Sequence, residues 1–225
     1  MRTRLNPMQQ VLVAAGRPLP QLTDPLDIEL RVSAFAGLFA RDEGFWEDVV
    51  EHLDEVPSRR SAALLTALGH LLAGRPGQWA RDAARQQRAP RWDLTTLTFG
   101  ECWIGDRSID AGYLTLMCCY AYGDDRHAMV FMIDEISGSL TRHAFLTRQV
   151  EEALGKLQEQ VRLEPITPEA AHWLLGRSYD RFERRPGLGV SEDVHQTRLL
   201  VRRRIALALG LGQVGTKAGS TASTS

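Results

Sequence analysis

The sequence predicts an α+β fold: an antiparallel sheet of three to five strands, built on a central hairpin and flanked by N-terminal and C-terminal helices. Three observations carry that prediction. Tyr113 to Ile136 reads as two strands rich in aromatic and β-branched residues, joined by the connector Gly123-Asp124-Asp125-Arg126. Neither arm alternates cleanly, because Leu114, Leu116 and Cys118 are apolar on one face while Met117, Cys119 and Ala121 are apolar on the other; strands of this kind are covered on both sides. Helical spacing of apolar residues both precedes and follows the hairpin, and those segments are its simplest packing layers.

Taken in order, residues 1–90 form an N-terminal helical region. Met1 to Leu22 holds one short helix around Val11 to Ala15, before Pro18 and Pro20. Asp24 is a good N-cap with Pro25 at the first helical position, and Ile28, Val32, Phe35 and Phe39 follow at helical spacing to about Ala40. After Gly44, an apolar stripe of Phe45, Trp46, Val49, Val50 and Leu53 is backed by acids and ends at Pro57. Ser58 caps a third helix carrying Leu64, Leu65, Leu68, Leu71 and Leu72, stopped by Gly74-Arg75-Pro76-Gly77; a short basic helix, Gln78 to Arg88, follows.

Residues 91–146 form an antiparallel meander. Trp92 to Phe99 and Glu101 to Ile104 are rich in Thr and aromatics and read as strands. A two-residue turn at Asp124 and Asp125 sets Tyr122 opposite His127 and Cys118 opposite Phe131 in the hairpin. Leu140 to Leu146 is a last strand or the entry to a helix. Residues 147–210 hold C-terminal helices that pack on the sheet: one with Val150, Leu154, Leu157 and Val161, one opened by Thr167 and Pro168, and one running from Ser191 to Gly210. Residues 211–225, of Gly, Ser, Thr and Ala, read as a disordered tail on one compact domain.

The 225 residues carry a net charge of -1 with a pI near 6.6, which argues against a chain that coats nucleic acid or anionic membrane along its whole length. No window approaches the roughly 18 apolar residues of a membrane span, and the N-terminus lacks the apolar core of a signal peptide, so the expected location is cytoplasmic with no membrane partner. Cys102, Cys118 and Cys119 show neither Cys-x-x-Cys spacing nor a disulfide framework, so they read as reduced, buried small hydrophobes; no metal and no cofactor is expected. Arginine supplies 25 of the 27 basic residues, a skew that a GC-rich coding sequence produces unaided.

The familiar catalytic signatures are missing, including phosphate loops, Gly-x-Gly-x-x-Gly, His-Glu-x-x-His and Gly-x-Ser-x-Gly, which leans against an enzyme. Two constellations stand out. Asp134 and Glu135 end the second hairpin strand beside the start of the first, near Asp110, with Asp106 on the preceding loop and His143 shortly after. Oxygen ligands gathered at a sheet end suit a divalent cation or a general base, hence a metal-dependent hydrolase, although turns and strand ends also favour short polar side chains. The second is a run of eight arginines against four acids from Arg177 to Arg204, among which Arg198, Arg202 and Arg203 are candidate phosphate contacts of a nucleic-acid-binding protein. The competing interpretation places the arginines at a helix C-terminus, where cations suit the dipole. His127 reads as a cross-strand packing partner, and Trp46 and Trp173 as core. The reading that needs neither constellation is a non-enzymatic binding, regulatory or scaffolding protein with an unidentified protein partner, its sheet and helix faces serving as docking surfaces.

Overall fold

A computed structural model describes residues 4–39, 42–106, 112–184 and 189–210, so Asp110 and the expected tail lie outside the described residues. The helices before the sheet are α1 (Pro7–Ala15), α2 (Pro25–Ala36), α3 (Glu43–Glu55), α4 (Arg59–Leu71) and α5 (Gly74–Arg85). Then come β1 (Leu97–Asp106), β2 (Tyr113–Tyr122), β3 (Asp125–Asp134), β4 (Leu140–Thr147), α6 (Val150–Gln158), β5 (Arg162–Ile166), α7 (Pro168–Arg184), α8 (Glu192–Gln196) and α9 (Arg198–Ala208). The strands pair antiparallel in the order β4-β3-β2-β1-β5, which establishes the α+β class with helices at both ends. No helix among the described residues is long and apolar enough to cross a membrane.

Helix starts follow the capping chemistry of the sequence. Asp24 accepts from the Leu26 amide at 2.8 Å with Pro25 behind it, Asp42 accepts from Phe45 at 2.9 Å, and Ser58 from Ser61 at 3.0 Å. Asn6 and Gln9 form a reciprocal capping box that starts α1 earlier than the apolar run alone suggests. Helix α4 ends at Leu71, ahead of Gly74 as expected, but Gly74 to Gly77 forms the first turn of α5, which starts four residues before the expected Gln78. A Cβ on Gly77 would sit 2.0 Å from the Leu72 carbonyl oxygen, so only glycine lets the chain double back this tightly.

The sheet differs from expectation in register and in extent. The hairpin turn is Gly123-Asp124, with Tyr122 paired to Asp125, Tyr120 to His127 and Cys118 to Met129, two residues away from the register expected of an Asp124-Asp125 turn. Gly123 has φ +59°, and a two-residue turn with positive φ at its first central position requires glycine there. A two-residue slip preserves the side-chain faces, so the burial pattern is the expected one. Strand β1 joins Leu97 to Phe99 with the segment after Gly100, with an irregularity between Phe99 and Cys102, whereas Trp92 to Thr96, expected as strand, is not one and sends Trp92 and Leu94 into the helical core; the Leu140 segment is a strand. A fifth strand, β5, closes the sheet against β1 through pairs such as Cys102 with Ile166, in a segment where the sequence predicts only helices.

Three cores result. Helices α1 to α5, with Trp92, Leu94 and Leu199, enclose one. Cys102, Leu116, Cys118, Tyr120, Met129 and Phe131 face α7, α8 and α9 in a second. Met117, Cys119, Ala128 and Val130 meet Val150, Leu154 and Leu157 of α6 on the opposite face. The hairpin is therefore covered on both sides, as its composition predicts. Helix α9 lies between the helical region and the sheet: Leu199 points to the first core while Leu200, Val201 and Ile205 point to the second. Such a helix is buried nearly all round. The single helix expected from Ser191 to Gly210 is broken at Thr197, whose hydroxyl donates to the Asp193 carbonyl at 2.6 Å. Trp173, expected in the core, is 52% exposed, with the Arg177 guanidinium over its ring.

Candidate functional site

Because α9 is enclosed, its arginines must be neutralised inside the protein. Glu29, on the inward face of α2 and 0% exposed, does this. Its carboxylate accepts from Arg203 at 2.5 Å and from Arg204 at 2.9 Å, and the Tyr122 hydroxyl bonds to it as well. Burial alone would push the Glu29 carboxyl up, but the two guanidiniums and the hydroxyl outweigh it and hold it below the usual carboxylate range. Arg203 also donates to the Tyr122 hydroxyl at 3.2 Å and to the Leu94 carbonyl. Arg204 stacks over the Tyr120 ring with 4.7 Å to the centroid and donates to His127 Nε2 at 3.0 Å. A guanidinium only donates, so Nε2 accepts and His127 is neutral. Burial, then Arg204, lowers the His127 pKa to about 4.

The polar track continues along the sheet. The Tyr120 ring stacks on His127 on one side, and its hydroxyl lies 2.9 Å from His172 Nε2 on the other. His172, on α7, is buried and packs edge-on to Phe99, and its Nδ1 is 2.6 Å from the Pro168 carbonyl. Beside it stand Cys102 of β1 and Cys118 of β2, directly paired across the two strands. One ligand atom from each of Cys102, Cys118 and His172 falls within 4.8 Å of the others, and this is the only group of three or more potential metal-binding His, Cys, Asp or Glu among the described residues. The two cysteines are legible in the sequence as buried side chains, but nothing local to either residue signals the β1–β2 register that joins them.

Among the described residues, the acidic candidates do not gather in this way. Asp134 is buried, accepting from the Ser137 amide at 2.9 Å, the Ser137 hydroxyl at 2.7 Å and Arg142 at 2.9 Å. Burial would raise its pKa, but the Ser137 bonds and Arg142 prevail and hold it low, so Asp134 clamps the β3–β4 turn. Glu135 is exposed, and its backbone amide bonds to Gly112. His143 pairs with Met132 rather than with Asp134 and stacks on Phe145.

Each candidate phosphate-binding arginine has an internal carboxylate. Arg198 donates to Glu183 at 2.9 Å, Arg202 to Glu183 at 3.0 Å and to Asp180 at 2.8 Å, and Arg203 to Glu29 as above. Arg203 is buried, and Arg198 and Arg202 lie partly covered against Phe182 and Tyr179 of α7.

A different surface exposes large apolar side chains. Met8, Val11 and Phe35 are 49%, 51% and 40% exposed. Leu12, Ala15 and Gly16 at the C-terminal end of α1 meet Arg31, Val32 and Phe35 of α2 and Leu64 of α4 in a closed contact that leaves no room for a water molecule. Met8, Val11 and Ala15 share the outer stripe of α1 at helical spacing, while Gln9 and Leu12 point inward, where Gln9 donates to the Phe45 carbonyl at 3.0 Å. The sequence signal for this surface is the apolar run Val11 to Ala15; the inward anchor Gln9, which decides which face stays outside, is polar and gives no such signal. No protein-family profile, curated protein or solved structure matches this chain.

Proposed function

We propose that this chain is a binding protein of regulatory or scaffolding type, acting in the cytoplasm by docking a protein partner on the exposed apolar side chains of α1 and α2. The observation that carries the reading is the exposure of Met8, Val11 and Phe35, three large apolar side chains on the contacting helices α1 and α2. Single exposed apolar side chains are ordinary, but three large ones on two packed helices offer a partner an apolar surface to cover. Arg31, exposed on the same helix as Phe35, adds a positive charge that suits a partner carrying a carboxylate at this edge. The candidate arginines and Asp134 support the same reading from the other side, since their charges are met by groups of this chain.

Affinity capture with the wild type and with Val11→Glu/Phe35→Glu, followed by quantitative mass spectrometry, tests it. A protein should be retained in stoichiometric amount by the wild type and lost by the variant, while the thermal unfolding of the variant stays within a few degrees because both positions are exposed. A partner retained equally by both proteins contradicts the reading, and so does capture of nucleic acid alone.

A further inference from the structure

We propose that Cys102, Cys118 and His172 form a buried binding site for a zinc-class divalent cation, one that ties β1, β2 and α7 together. The site is independent of the apolar surface of α1 and α2. Three elements deliver one soft or borderline donor each: Cys102 and Cys118 are opposite one another on neighbouring strands, and His172 reaches them from one turn inside α7. The donor atoms already lie within 4.8 Å of one another. Tetrahedral zinc with sulfur at about 2.3 Å and nitrogen at about 2.0 Å holds its ligands roughly 3.5–3.8 Å apart, so a closure of about 1 Å completes the arrangement.

The histidine is already set for this role. The Pro168 carbonyl can only accept, so Nδ1 carries the proton and Nε2 presents its lone pair. An Nδ1–H bond to a backbone carbonyl is the outer-sphere contact that orients metal-binding histidines. The Tyr120 hydroxyl now bonds to that lone pair at 2.9 Å and is the group a cation would displace.

Charge decides which cation. All three ligands are buried, with Cys118 and His172 at 0% exposure, and a net charge in such a place is costly. A divalent ion that displaces the two thiol protons into solvent leaves two thiolates, a neutral imidazole and no net charge. A monovalent ion would leave one uncompensated negative charge, and magnesium or calcium would find no oxygen-rich shell. Access needs only local opening: Cys102 pairs with Ile166 at the end of the five-residue edge strand β5, and α7 begins two residues later.

The test is zinc titration of the full, reduced chain against a chromophoric chelator, with native mass spectrometry of the product and magnesium as the control ion. One zinc per chain is expected, with affinity reduced more than about 100-fold in Cys102→Ser, in Cys118→Ser and in His172→Gln. Cobalt added to the wild type should give thiolate-to-metal charge-transfer bands together with the visible bands of a tetrahedral ion, a readout that survives even if a variant fails to fold. Three results overturn the site: no zinc retained, zinc retained equally by the cysteine variants, or cobalt spectra without thiolate bands.

Discussion

Exchanging Glu29 for glutamine is expected to lower the free energy of unfolding by about 3–5 kcal/mol, the usual consequence of removing one member of a buried ion cluster. Glu29 is the carboxylate that Arg203 and Arg204 share, and neither guanidinium has water to turn to: Arg204 is 0% exposed and Arg203 nearly so. A glutamine keeps the shape but removes the charge, leaving two cations facing each other in a site of low dielectric. The partner arginines sit 174 and 175 residues further along the chain, so the loss would fall on the junction of α2 with α9 rather than on one helix. Urea melts should show a lower midpoint with an unchanged slope. Replacing all three residues with apolar ones of similar volume should cost far less than Glu29→Gln, because the penalty lies in the unpaired charges. A near-neutral Glu29→Gln would show that the cluster is solvated.

Phe131→Ala should be comparably damaging, at about 3–5 kcal/mol, for a different reason. Phe131 is fully buried in the centre of β3, opposite Leu116 on β2 and Ala144 on β4, with its ring edge-on to Tyr179 of α7 at 6.5 Å between centroids. Truncation leaves a cavity bounded by two strands and a helix that cannot collapse around it. Val130, one residue away, faces α6 on the opposite side. Val130→Ala removes less volume and should cost less than half as much. If the two were equal, or if both were neutral in denaturant melts, the two-sided packing of the hairpin would be wrong.

Much of this architecture is legible in the sequence because it is written in local chemistry. Proline and aspartate at the start of α2, serine before α4 and the apolar repeats of α3 and α7 each act within a turn or two. The hairpin is also local, and its register departs from the expected one only because the positive φ of Gly123 pulls the turn one residue earlier. Strand β5 is illegible for the opposite reason. Arg-Leu-Glu-Pro-Ile is short, polar, mostly exposed and interrupted by proline, the pattern of an edge strand whose only reason to be extended is β1 beside it. The candidate sites divide along the same line. Asp134 stands at the strand end where the sequence puts it, but Ser137 and Arg142, which engage it, carry no distinctive signal. Arg202, Arg203 and Arg204 look like a solvated charge run because their partners, Asp180, Glu183 and above all Glu29, are remote. One signal does point to the interior: Glu29 is the only charged residue on the inward side of α2, among Leu26, Ile28, Val32, Ser33 and Ala36, a position that calls for a buried cation.

The C-terminal arginines are turned to carboxylates of their own chain, and titration with nucleic acid tests this most directly. Labelled duplex and single-stranded DNA and RNA at about 50 mM salt, where phosphate contacts are strong, should show no binding by the wild type. Binding whose log-log salt slope flattens by about two units in Arg198→Ala/Arg202→Ala would contradict it, because those guanidiniums would then be meeting phosphates instead of Asp180 and Glu183.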